Sequence, residues 1–228
     1  MAEFAAEAAR LGARIVLYPE LIVTGYIDPD RIAKLAEPLT GPSVQSLAAT
    51  AERLDVALAF GFAGRAPDGS IRNSLVFVGS NGEVAGVYRK VHLWDTEKTW
   101  ALPGESTTVL WMEGVRACGW ICYDTRFPEL ARSQALAGME LALVATAWLG
   151  HGEEWELALR AAKPAKPRPL DRPSPRAYTA QDDTAGSRDR SRTRVRYPRY
   201  RWPPGTHYRR TCSPRNPAHA GGRIGSGL

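Results

Sequence analysis

The feature that most limits what this chain can fold into is a break in composition after Ala162. Residues 163–228 hold 10 of the 17 prolines and 16 Lys or Arg against 4 Asp. They hold only four residues of the Leu/Ile/Val/Met/Phe set: Leu170, Val195, Ile224 and Leu228. A segment so poor in apolar side chains cannot bury enough surface to offset the entropy of ordering its backbone. A disordered or poorly packed basic tail is predicted, and the core must come from residues 1–162. The charge divides the same way. The total of +6 combines +12 in the tail with −6 in residues 1–162, where 20 acidic residues outnumber 14 basic ones.

Residues 1–162 read as one mixed domain. Residues 2–12 have the spacing of an amphipathic helix closed by Gly12. Arg14 to Tyr18 is a short buried strand ending at Pro19-Glu20, with a loop through Thr24-Gly25-Tyr26. Pro42 to Leu54 is helical, with proline in the first turn. Val56 to Phe62 is strand-like. Asn73 to Gly79 and Val84 to Lys90 form a hairpin around Ser80-Asn81-Gly82-Glu83. Val109 to Met112 and Val115 to Ile121 form a second hairpin around Glu113-Gly114. A helix at 126–138, a strand at 141–145 and a helix near 153–162 follow. Buried strands, hairpins and amphipathic helices together imply a layered α/β sandwich with a mixed sheet. No apolar run approaches the ~18 residues of a membrane span. The N-terminus lacks the pattern of a secretory signal. The three cysteines, 118, 122 and 212, have no metal-like spacing and suit a reducing, cytoplasmic compartment.

Four segments carry chemistry. Glu20 ends one strand in Leu17-Tyr18-Pro19-Glu20, and Lys90 ends another in Val87-Tyr88-Arg89-Lys90-Val91-His92-Leu93. Glu97 follows in a loop. Cys122 lies between a strand and a helix, in Cys122-Tyr123-Asp124-Thr125-Arg126-Phe127-Pro128-Glu129-Leu130. A thiol near the positive end of a helix, with a lysine beside it, is expected to have a lowered pKa. A carboxylate crowded into such a pocket is expected to have its own raised. Singly, each residue has a plainer reading: Cys122 as a buried small side chain, Glu20 and Glu97 as solvated acids, Lys90 as one of a basic trio with Arg89 and His92. Only their joint pattern reverses those readings.

That pattern resembles the carbon–nitrogen hydrolase family, or nitrilase superfamily, from about residue 2 to about residue 162. The resemblance implies an α-β-β-α sandwich and a Glu20–Lys90–Cys122 triad. Cys122 would be the nucleophile and Glu20 the general base. Lys90 would stabilise the oxyanion, together with the backbone N–H of Tyr123. Glu97 would position substrate or assist proton transfer. The chemistry implied is hydrolysis of a small linear carboxamide or N-carbamoyl compound through a thioester, without metal or organic cofactor. Tyr123-Asp124 after the cysteine is closer to amidase-type members than to nitrile-cleaving ones. The resemblance also implies a homodimer or higher oligomer through Arg126–Gly138 and Glu153–Ala162.

The surroundings have readings of their own. Trp148 is read either as a wall of the substrate pocket or as packing. Trp94 and Trp100 are read as packing, Cys118 as a core residue and His92 as a structural residue near the site. Asp124, Arg126 and Glu129 are read as an ion-pair network holding the turn. The tail has two readings. One is a nucleic-acid arm, with arginines interleaved among Tyr197, Tyr200, Trp202 and Tyr208. The other, favoured by the abruptness of the change, is out-of-frame translation, with the family's pattern cut short at both ends. A damaged, inactive family member is a further expectation.

Overall fold

The computed structural model describes residues 1–26, 28–148 and 152–162, together with the backbone of 177–179. Two sheets lie face to face. The first has five strands in the order β4-β3-β2-β1-β8: β1 (Ile15–Leu17), β2 (Ala57–Arg65), β3 (Ile71–Val78), β4 (Val84–Arg89) and β8 (Ala177–Thr179). The second has three, in the order β5-β6-β7: β5 (Val109–Met112), β6 (Val115–Ile121) and β7 (Leu141–Ala145). β1 runs parallel to β2 and β8, and β6 runs parallel to β7, while both predicted hairpins are antiparallel.

Alternation along the strands sorts side chains into layers. Ile15, Leu17, Ala57, Ala59, Leu75, Phe77 and Tyr88 face inward, against Met112, Ala117, Ile121, Leu143 and Ala145 of the second sheet. Gly119 permits that contact, because a Cβ there would come within 2.7 Å of Leu75 and Phe77. The opposite face of the first sheet, with Val16, Tyr18, Leu58, Phe60, Phe62, Val76 and Val78, packs on α1 (Ala2–Arg10) and α3 (Pro42–Leu54). On the other outside, Cys118 and Trp120 meet Leu130 and Ala131 of α4 (Pro128–Leu136) and Ala162 of α5 (Gly152–Ala162). The layers are α-β-β-α, as the resemblance implied.

A bulge sets the parity of β4. Phe77 lies opposite Gly86, but Val78 lies opposite Val84, so Ala85 is an extra residue in its strand.

Three differences from the sequence reading have local causes. Helix α2 (Pro29–Leu35) was not expected; Asp28 caps it, accepting from the N–H groups of Asp30 (2.9 Å) and Arg31 (3.4 Å), with Pro29 at the first position. The helix expected at 126–138 is shorter: a 3-10 turn, Cys122–Arg126, precedes it, and α4 runs from Pro128 to Leu136 because Pro128 starts a new helix. Within the tail expected to be unstructured, Ala177–Thr179 pairs with β1; the other tail residues lie outside the described ones, as do both tail readings. No helix among the described residues is long and apolar enough to cross a membrane.

Candidate active site

The site forms where β1, β4 and β6 end. After β1, Pro19–Leu21 passes so close to β2 that only glycine fits at position 61. A Cβ there would sit 2.2 Å from the Leu21 nitrogen and 2.4 Å from the Pro19 oxygen. The Gly61 N–H donates to the Pro19 carbonyl (3.2 Å), which fixes Glu20 at the sheet edge. Lys90 follows β4. Its N–H donates to the Asn73 carbonyl and its carbonyl accepts from the Gly104 N–H, each at 2.8 Å. Glu97 lies in the 3-10 turn Asp95–Thr99.

These three side chains meet on one ammonium. Lys90 Nζ donates to Glu20 Oε1 at 2.8 Å and to Glu97 Oε1 at 2.7 Å. All three are buried, at 1 %, 3 % and 0 % exposure for Lys90, Glu20 and Glu97. Asn73 Nδ2 donates to the same two oxygens, at 2.8 and 3.0 Å. Glu20 Oε2 accepts from the Ala147 N–H (3.0 Å). Glu97 accepts from the Trp94 N–H (2.8 Å) and the Tyr26 hydroxyl (3.3 Å).

Cys122 closes β6 with φ +46°, a left-handed conformation costing roughly 1–3 kcal/mol in a residue with a side chain. Asp124 holds this turn. Its Oδ2 accepts from the Ile121 N–H (3.0 Å) and the Tyr88 hydroxyl (2.8 Å), and its Oδ1 accepts from the His92 N–H (3.0 Å). His92 stacks on Phe127 with ring centroids 3.5 Å apart. The expected Asp124–Arg126–Glu129 network is therefore not what fixes the turn: Asp124 works through hydrogen bonds, and Arg126 pairs with Glu154 on α5.

The electrostatics overturn the expected lowering at Cys122 and show which of the two carboxyls is the raised one. Burial, and then the Glu20 charge, push the Cys122 thiol up to about 12, outweighing the opposing pull of Lys90. The helix expected to favour the thiolate begins at Pro128, beyond an intervening 3-10 turn, and a helix field fades within about one turn. Glu20 is not raised. Burial alone would raise it, but the Lys90 charge and the hydrogen bonds from Lys90, Asn73 and the Ala147 N–H together hold it below the usual carboxylate value. Glu97 is the raised carboxyl, at about 7: burial and the Glu20 charge outweigh Lys90. Lys90 itself stays an ammonium, because its two carboxylates overcome the cost of burying it.

The family model for carbon-nitrogen hydrolases matches residues 1–165. The chain belongs to the carbon-nitrogen hydrolase family. Among curated members it is 40 % identical over 131 residues to an (R)-stereoselective amidase of a Pseudomonas species, covering 57 % of this chain and 47 % of that one. It is 36 % identical over 151 residues to "Probable nitrilase C965.09" of Schizosaccharomyces pombe, covering 64 % and 56 %. It thus spans about half the length of these relatives. The fold matches a solved amidase of Nesterenkonia sp. AN1 with TM-score 0.65 at 30 % identity, over 71 % of this chain and 62 % of that one. That amidase carries the acetamide moiety of fluoroacetamide covalently added at its active-site cysteine.

In this member of the family a cavity of ≈ 260 Å³ opens onto Cys122, with Tyr123 and Trp148 among its walls. Glu20, Lys90 and Glu97 are not on its walls. Trp94, read from sequence as packing, lines the cavity, as do Tyr26, Arg126 and Glu154. The Trp148 indole N–H is buried there with no hydrogen-bond partner among the described residues. Asn73 escaped the sequence reading altogether. Its signal was an amide in the same inward row as Leu75 and Phe77, where a polar group needs a partner.

Proposed function

We propose that Cys122, Glu20 and Lys90 hydrolyse a small carboxamide. The observation that carries this reading is the buried Glu20–Lys90–Glu97 cluster beside a strained, cavity-facing cysteine. The Cys122 thiol is protonated at rest. As its sulfur bonds to the amide carbon, Glu20 takes the thiol proton, and the carbonyl oxygen gains the charge that Lys90 and the Tyr123 N–H stabilise. The C–N bond then breaks, the proton passes to the leaving nitrogen, and ammonia departs from a thioester. Glu20 next takes a proton from water, which attacks the thioester, and Cys122 regains its proton as the carboxylic acid leaves. Glu97 holds Lys90 in place. Tyr123 and Trp148 orient the amide in the cavity, the unpartnered indole N–H being a ready donor.

Ammonia release by the full chain from a panel of short carboxamides tests the reading. Release is expected for wild type and none for Cys122→Ala. A folded wild type that releases none, with no acyl adduct on Cys122 by mass spectrometry, would overturn it.

The same reading extends to a second copy of the chain across α4 and α5. Leu136 and Leu157 on these helices are each 68 % exposed, apolar surface that an interface would cover. Light scattering of the full chain is expected to give a dimer mass; a monomer at all concentrations would overturn that extension.

A further inference from the structure

The strands that build the site have a second face. Asn73 and Lys90 point inward, so Arg72, Ser74 and Arg89 point to the opposite side of the sheet. Helices α1 and α3 cover that side over β1, β2 and the Val76–Val78 end of β3. At the Arg72 end a groove of ≈ 340 Å³ remains, lined by Arg65, Arg72, Arg89, Ser74 and Gly64 among others. A smaller hollow of ≈ 140 Å³ shares Arg72 and Arg89 with it and adds Glu105. The groove's volume lies within the ~300–1,000 Å³ range of small-molecule sites.

Its charge is unmatched. Ser74 lies opposite Arg89 and Gly64 opposite Arg72, which makes Arg72 and Arg89 diagonal neighbours on one face, where like charges repel. Arg65 donates to the carbonyls of Ala33, Ala36 and Gly69, and Arg72 donates to that of Pro103. These acceptors are neutral and cancel no charge. The Arg89 side chain is exposed and makes no hydrogen bond or ion pair among the described residues. Glu37 is not on the walls of either hollow, and its carboxylate accepts from the Ser43 N–H and hydroxyl, at 3.0 and 2.6 Å. Two guanidinium groups, those of Arg72 and Arg89, thus face a groove with no carboxylate on its walls; Glu105 lines the adjoining hollow, and the Arg65 side chain lies on the opposite face with Ile71.

We propose that this groove binds the phosphate group of a small phosphorylated molecule. The unmatched charge decides the class. A phosphate monoester carries about −1.5 to −2 near pH 7 and matches the two guanidinium groups that face the groove, where a monocarboxylate would match one. The planar forks of Arg72 and Arg89 suit paired phosphate oxygens.

Hydrogen exchange of the full chain, with inorganic phosphate as probe and sodium chloride at equal ionic strength as reference, tests this. Phosphate is expected to protect peptides covering residues 64–74 and 86–91. Arg89→Gln is expected to raise the phosphate concentration for half-protection at least about tenfold, and Arg89→Lys, which keeps the charge but loses the fork, less. Arg132→Gln, an exposed charge on α4, should change nothing. Acetate is expected to be at least about tenfold weaker than phosphate. Protection confined to 163–228, protection equal in Arg89→Gln, acetate as effective as phosphate, or no protection would each overturn the proposal.

Discussion

Glu20 and Glu97 approach the same ammonium at nearly equal distances, yet one carboxyl is held low and the other raised to about 7. Glu20, after β1, accepts from the Ala147 N–H beyond β7 besides Lys90 and Asn73. Glu97, in the 3-10 turn, has comparable donors in the Trp94 N–H and the Tyr26 hydroxyl. Donor supply therefore does not separate them. One lysine cannot offset two adjacent buried negative charges, so the pair takes up its first proton near neutrality and its second only in acid. The lesson is a division set by charge count: one carboxylate stays ionised, the state the proposed base needs, and the other is free to change state.

The strongest way to break that division is to remove the shared cation. Lys90→Met leaves two carboxyls buried without it and is expected to cost about 3–5 kcal/mol of stability, read by denaturant unfolding, with loss of turnover. Glu20→Gln keeps the shape but removes the proposed base, and about a 10³-fold fall in kcat is expected in ammonia-release kinetics. Glu97→Gln should cost less, about 10-fold in kcat, since Lys90 keeps its bond to Glu20. It should also change the pH profile of stability. The folded-state value of Glu97 is raised, so between about 4.5 and about 7 the folded state binds more protons than the unfolded one. Stability contributed by this group is then present at the acid end of that window and lost as pH rises through about 7. Thermal unfolding of Glu97→Gln should lack this decline. Glu20 acts in the opposite sense: its contribution is present above the unfolded value of 4.5 and is lost as pH falls through its lower folded value. Asn73→Ala should have the smallest effect, about 1–3 kcal/mol of stability, because each carboxyl keeps other donors.

Much of this was legible in the sequence, for identifiable reasons. Short apolar runs and the turns at Ser80–Glu83 and Glu113-Gly114 marked β3 through β7, and strand-end positions marked Glu20 and Lys90. What sequence missed depends on contact between distant segments. Asn73 acquires its purpose only when β1 and the 95–99 turn arrive on either side of it. The thiol shift of Cys122 depends on burial and on Glu20, far away in the chain, so a rule based on the next helix gave the wrong sign. Trp94 seemed a packing residue because nothing nearby in sequence says that its loop borders the Cys122 cavity. Asp28-Pro29, in contrast, was a readable helix start.

The extra residue at Ala85 has a consequence for how this protein can change over evolutionary time. Downstream of it, each β4 side chain is committed to one face: Lys90 to the interior, Arg89 to the outside. Deleting that single residue would leave Val84 opposite Val78 and Gly86 opposite Phe77 in an unbroken ladder, so Arg89 and Lys90 would keep their partners and their faces. The bulge is thus one residue of slack, and this hairpin should accept the loss of Ala85 more readily than the loss of a second β4 residue, which would exchange the two faces.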